Sequence, residues 1–113
     1  LQAHFESLTD WAMLDGCWPA NVHPGDIDGF IERRGISLFL EHKKPGAKLG
    51  RGQMIAYESL ARQGNTTLAC WGDRLNVEAL QIIGPSGTRP IVEASLEEMR
   101  RLCAGWWRQA SRR

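Results

Sequence analysis

In the stretch "GDIDGFIERRGISLFLEHKKPGAKLGRGQ", residues 25–53, the side chains able to do chemistry are Asp26, Asp28, Glu41, Lys43 and Gln53. The segment reads as a β-hairpin turning at Arg34 and Gly35, where glycine readily supplies the positive φ of a tight turn and arginine does so less readily. With that turn, Phe30 falls opposite Phe39, Asp28 opposite Glu41 and Asp26 opposite Lys43. All project from one face, because strand side chains alternate. Two carboxylates directly across a ladder, with Cβ atoms about 4.5–5.5 Å apart, destabilise it. Beside so apolar a strand, desolvation also disfavours their charged forms unless a cation or strong donor is near. A divalent metal held by Asp28 and Glu41, with Lys43 two residues along on the same face, resolves the conflict. The charge pattern also accommodates a plainer arrangement, an Asp26–Lys43 ion pair with Asp28 and Glu41 at a solvated hairpin end.

Gln53 bears on that choice. It sits one turn before Tyr57 on the stripe Leu49, Gln53, Ala56, Tyr57 and Leu60, the side of a helix expected to face the sheet. A buried amide needs partners, and the carboxylates and lysine of the hairpin would supply them. Taken alone, Gln53 could equally be solvated or cap a loop.

The elements that position these groups follow from periodicity. Leu1, Phe5, Leu8 and Ala12 are spaced for a first helix over residues 1–14, followed by an irregular connection rich in proline and glycine. "ISLFLE" is a nearly continuous apolar run and reads as a central strand buried on both faces. Pro45 and the glycines after it form a loop into the helix "QMIAYESLARQG", with Gly64 as its stop. "NTTLACWG" and "NVEALQIIG" read as two further strands. Ser95 followed by Glu98 has the capping-box spacing of a last helix. The order predicts an α/β fold, a small mixed β-sheet flanked by helices, in a single domain over 1–113.

Composition narrows the function classes. Apolar residues make up 42% and charged residues 24%, ordinary for a globular chain. The net charge of +1 argues for no strongly charged partner by itself, so a nucleic-acid surface would have to come from local clusters such as "EHKKPGAKLGRG". Cys17, Cys70 and Cys103 lack metal or disulfide spacing and fit a reducing cytoplasm. No apolar run is long enough to span a bilayer. Of the histidines, His4 and His23 are expected to be structural or surface residues, and Trp106 and Trp107, adjacent on a helix, cannot both face one core.

These residues together resemble the PD-(D/E)XK, or restriction-endonuclease-like, nuclease superfamily. "GDIDG" supplies the first acid, "EHK" matches the E-x-K triplet, and Gln53 to Tyr57 gives the Q-x-x-x-Y spacing of RecB-like and related phage nucleases. The run "DIDGFIERRGISLFLEHKKPGAKLGRGQ" also looks like the virus-type replication-repair nucleases. The likeness covers about Pro24 to Trp71. It departs from the family where a proline usually precedes the first acid; Asp28 is aligned with that acid by its pairing to Glu41, and Asp26 is the second candidate.

The resemblance implies a restriction-endonuclease-like core and hydrolysis of DNA phosphodiester bonds in phage or prophage replication, repair or recombination. Asp28, Glu41 and the main-chain carbonyl of His42 would ligate Mg²⁺, with Mn²⁺ able to substitute. Lys43 would orient the attacking water or offset charge on the phosphorane, and Gln53 would position Lys43 or the nucleophile. Tyr57 would support the site or touch a phosphate, and Glu6 on the first helix is a further candidate. Lys44, Lys48 and Arg51 would contact nucleic acid. DNA is the implied partner, with no nucleotide cofactor and no membrane, and an assembly using the C-terminal helix would extend the little DNA one copy can cover. The alternatives are a non-catalytic nucleic-acid-binding or assembly domain of the same fold, and an unrelated α/β domain whose hairpin charges form ion pairs.

Overall fold

A computed structural model describes residues 11–73 and 75–113. The hairpin is formed by β1 (Gly29–Arg33) and β2 (Ile36–Lys43), joined by Arg34 and Gly35 with φ of 53° and 92°. Two consecutive positive φ values make the tight turn whose twist matches that of the strands. Gly35 N–H donates to Glu32 Oε2 at 2.7 Å, which fastens the turn. The register is the expected one, with Phe30 opposite Phe39 and Gly29 opposite Leu40.

From β2 the chain passes through a loop into α1 (Arg51–Arg62) and returns as β3 (Thr66–Asp73), parallel to β2. Gly64, at φ 97°, ends α1 and donates its N–H to Ala61 O at 3.0 Å. Asn65 ties the return together. Its Oδ1 accepts from Ser37 N–H at 2.8 Å while its Nδ2 donates to Leu60 O at 3.1 Å.

β4 (Asn76–Gly84) runs antiparallel to β3, and the short strands β5 (Gly87–Thr88) and β6 (Val92–Glu93) both pair with β4. Among the described residues the sheet has six strands in the order β1-β2-β3-β4-β5, with β6 also on β4. The last helix, α2 (Leu96–Ala110), starts at Ser95 as its spacing predicts. Ser95 Oγ accepts from Glu98 N–H at 3.2 Å, and Glu98 Oε1 accepts from Ser95 N–H at 3.0 Å.

Strand alternation divides the core in two. One side of the sheet turns Leu38, Leu68, Cys70 and Leu80 toward Met99, Cys103 and Trp106 of α2. The other side turns Phe39 and Ile83 toward Tyr57 and Ala61 of α1. This is an α/β protein with a mixed sheet between two helices. Trp106 packs against the core, while Trp107 is partly exposed beneath the Arg33 guanidinium, 4.8 Å from its ring.

The helix expected over 1–14 falls mostly outside the described residues. Its described end, Trp11–Leu14, is a 3₁₀ turn, closed by Asp15 N–H on Ala12 O at 3.0 Å and followed by Gly16 at φ 96°. Among the described residues no helix is long and apolar enough to cross a membrane.

Candidate functional site

Alternation along β2 carries Phe39, Glu41 and Lys43 onto the α1 side of the sheet. There Glu41 is 4% exposed. A carboxylate taken out of water costs several kcal/mol unless it is paired and hydrogen-bonded. Glu41 is both. Its Oε1 accepts from Gln53 Nε2 at 3.1 Å, its Oε2 accepts from the Tyr57 hydroxyl at 2.7 Å, and Lys43 Nζ stands 3.6 Å from Oε1. Ala69, the β3 residue in register with Glu41, is fully buried and leaves only a methyl beside the carboxylate. Burial first, and then the Glu41 carboxylate, push the Tyr57 hydroxyl well above the usual tyrosine range, so it remains a donor.

The start of α1 is built into the same cluster. Glycine at position 50 offers no side chain to cap the helix; instead Gln53, three residues on, returns its Oε1 to accept from Gly50 N–H at 3.1 Å. With Oε1 used for the cap, the amide nitrogen is the atom left to face Glu41. The solvated alternative for Gln53 is thereby replaced by a helix-capping role and a carboxylate-binding role in one side chain.

Asp28 reaches the site by a different route. Gly29–Leu40 is the last pair of the β1–β2 ladder. A two-residue turn makes Arg33–Ile36 a hydrogen-bonded pair, and alternation then points the main-chain groups of His42 toward β1. The exposed Asp28 side chain takes the acceptor place there, its Oδ2 receiving His42 N–H at 2.8 Å. The His42 ring is anchored on the other flank, with Nε2 donating to Gly72 O at 2.9 Å. That carbonyl sits at a bulge between Trp71 and Gly72, where a Cβ on Gly72 would come within 1.8 Å of Asn76 O.

The expected cross-strand pairs Asp28–Glu41 and Asp26–Lys43 do not form, since the ladder ends at Gly29–Leu40 and the Asp28 side chain turns to the His42 N–H. Because the Asp28 carboxylate ends the ladder, Asp26 lies in exposed coil before β1, lining a cavity of about 210 Å³ with Trp11, Asp15 and His23. Lys43 pairs with Glu41 instead. Tyr57 is buried beneath Glu41, which gives it a supporting position and not one from which to touch a phosphate. Ala56, placed on the inner stripe by spacing, is exposed. Glu6 and His4 lie outside the described residues.

Lys44 and Lys48 are exposed on the loop after β2, and Arg51 is exposed at the first residue of α1. Trp71, in register with Lys43, donates its indole N–H to Ala47 O at 2.7 Å and pins that basic loop to the sheet. Sequence reasoning missed Trp71, Gly72 and the His42 ring. Their roles depend on the parallel β2–β3 register, for which no local pattern exists; an isolated glycine inside a strand was the one available sign of a bulge.

Among the described residues no group of three or more His, Cys, Asp or Glu side chains converges as a metal site. The donors at hand are two carboxylates and the His42 carbonyl. All are hard oxygens, and a set this small suits Mg²⁺, which keeps several of its waters. An ionised carboxylate has about four acceptor positions, so Glu41 retains capacity beyond its two hydrogen bonds and Asp28 beyond its one. The donor chemistry therefore fits the metal. Comparison of the chain with protein-family models, with curated proteins and with solved structures gives no match.

Proposed function

We propose that the chain is a Mg²⁺-dependent nuclease that hydrolyses DNA phosphodiester bonds in a structure-selective or nonspecific way. The observation that carries this reading is the buried Glu41 carboxylate, held by Gln53 and Tyr57 and paired with Lys43, one residue from the backbone N–H that holds Asp28. A buried Glu–Lys pair needs hydrogen bonds of this kind in any fold; what a structural pair does not need is a second carboxylate, Asp28, held at its flank by the His42 N–H.

Asp28, Glu41 and the His42 carbonyl would hold the metal, which when bound polarises a phosphate and lowers the pKa of a water. Gln53 and Tyr57 keep Glu41 in one rotamer, so its oxygens need no reorganisation during reaction. Lys43, partly buried and 3.6 Å from Glu41, presents a positive charge where negative charge develops on the phosphate. Lys44, Lys48 and Arg51 lie on the exposed loop and helix start beyond it and would meet backbone phosphates.

One observation favours a second reading. Glu41 is already stabilised without a metal, as it would be in a non-catalytic nucleic-acid-binding domain. Cleavage of labelled single-stranded, duplex and branched DNA with Mg²⁺ or Mn²⁺, beside Lys43→Ala and a chelator control, separates the two. The nuclease reading expects cleavage that both controls abolish, together with a Tm raised by Mg²⁺ in the absence of DNA. DNA binding without cleavage and without a metal-dependent Tm supports the second reading.

A further inference from the structure

The edge strand β1 carries large apolar side chains on both faces. Phe30 is 65% and Ile31 49% exposed, and Ile27 just before the strand is exposed too. β1 contains no proline, no lysine and no bulge, and its two charged side chains are drawn back onto their own chain, Glu32 onto the Gly35 N–H and Arg33 over Trp107. Among the described residues its main chain pairs with β2 alone. The alternation that turns Gly29, Ile31 and Arg33 toward β2 leaves the N–H and C=O of Phe30 and Glu32 facing outward.

We propose that this edge pairs antiparallel with β1 of a second copy, about a two-fold axis at Ile31. Three registers satisfy the outward-facing groups, centred on Phe30, Ile31 or Glu32. Centring on Phe30 sets Asp28 against Glu32, and centring on Glu32 sets Glu32 against itself; like charges directly opposite are destabilising. Centring on Ile31 sets Ile31 against Ile31 and Phe30 against Glu32, and brings Arg34 of each turn to the end of the other strand. There the Asp28 carboxylate is held on the His42 N–H with its Oδ1 free among the described residues, an approach of opposite charges formed twice by symmetry. It also sets Gly29 against Arg33. The missing side chain at Gly29 leaves room for the Arg33 guanidinium, which in each copy lies over Trp107 and donates from Nε to Ser111 Oγ at 3.0 Å.

Antiparallel pairing about such an axis turns the same face of both sheets to the same side. The two α1 faces, each with its Glu41, then look the same way, and the two Asp28 residues stand about 20 Å apart along the joined strands. Where an assembly through the C-terminal helix was expected, this contact uses the opposite edge of the site's own hairpin. It holds whether or not the site cleaves DNA.

Sedimentation equilibrium of the whole chain without metal or DNA tests it. The wild type should be a dimer, and Ile31→Lys, which sets two ammonium groups across the axis on an already exposed position, should weaken it roughly tenfold or more while retaining the wild-type circular dichroism. Ile31→Cys in a Cys17→Ser background should form an intermolecular disulfide on mild oxidation, since residues opposite each other in a non-hydrogen-bonded pair bring their Cβ atoms close. A wild type that is monomeric at its highest soluble concentration would overturn the proposal. So would a dimer that survives Ile31→Lys and gives no cross-link at position 31.

Discussion

The two faces of the sheet are built from alternate residues of the same strands, yet they are chemically unlike. Toward α2, β2, β3 and β4 present Leu38, Leu68, Cys70 and Leu80, an apolar layer whose energy comes from removing surface from water. Toward α1 the neighbouring positions present Glu41, Thr67 and Gln81, all buried. Gln81 Nε2 donates to Arg89 O at 2.9 Å, while Thr67 Oγ1 has no hydrogen-bond partner among the described residues. A polar row of this kind is poorer as a core and costs stability that the apolar face must supply. The difference assigns the labour: the α2 face is an apolar layer, while the α1 face joins an apolar cluster around Ile83, Tyr57 and Ala61 to a row that holds charge in a fixed place.

That division can be broken most severely at Glu41. If the chain is the proposed nuclease, Glu41→Gln should lower metal-dependent cleavage more than ~100-fold, since losing a ligand exceeds the 10–100-fold typical of the partners that orient ligands; single-turnover cleavage with saturating Mg²⁺ measures it. A mutation confined to the apolar face should do the reverse. Leu80→Ala should cost about 2–5 kcal/mol in urea unfolding while leaving the cleavage rate per folded molecule unchanged.

Tyr57→Phe sharpens the contrast. It deprives a buried carboxylate oxygen of its donor and should destabilise the fold by about 1–3 kcal/mol. It should also remove a pH dependence. The folded-state pKa of Tyr57 is raised above the unfolded value of 10.0, so its contribution is complete below that value and is lost as pH rises toward the folded one. Wild-type stability should therefore fall more steeply above pH 10 than that of Tyr57→Phe, in parallel urea titrations. The smallest effect belongs to the exposed loop. Lys48→Ala should leave unfolding unchanged and reduce the slope of log affinity for duplex DNA against log salt by about 0.9.

Much of this was legible from local pattern. Arg34-Gly35 set the turn and hence the β1–β2 register, Gly64 marked the end of α1, and Ser95 with Glu98 marked the start of α2. Each depends on residues a few positions apart. The two-residue strands β5 and β6 are too short to show a period, and they were not anticipated. At the site, the convergence of Glu41, Lys43, Gln53 and Tyr57 was readable because spacing alone puts them on facing surfaces. The placement of Asp26 was not. Extending the ladder past Gly29 assumed that main chain would meet main chain, and a side chain took the place.

The parallel contact between β2 and β3 also orders events in time. The hairpins β1–β2 and β3–β4 close over short stretches, on a timescale of roughly microseconds for an isolated hairpin. Joining them requires partners such as Ser37 and Asn65, 28 positions apart, with α1 laid across the gap. Non-local closure of that kind is slow. Glu41 stands on the strand that forms this seam, and Gln53 and Tyr57 on the helix that crosses it. A newly made chain would sample its hairpins early, and Glu41 would meet Gln53 and Tyr57 only when the seam shuts.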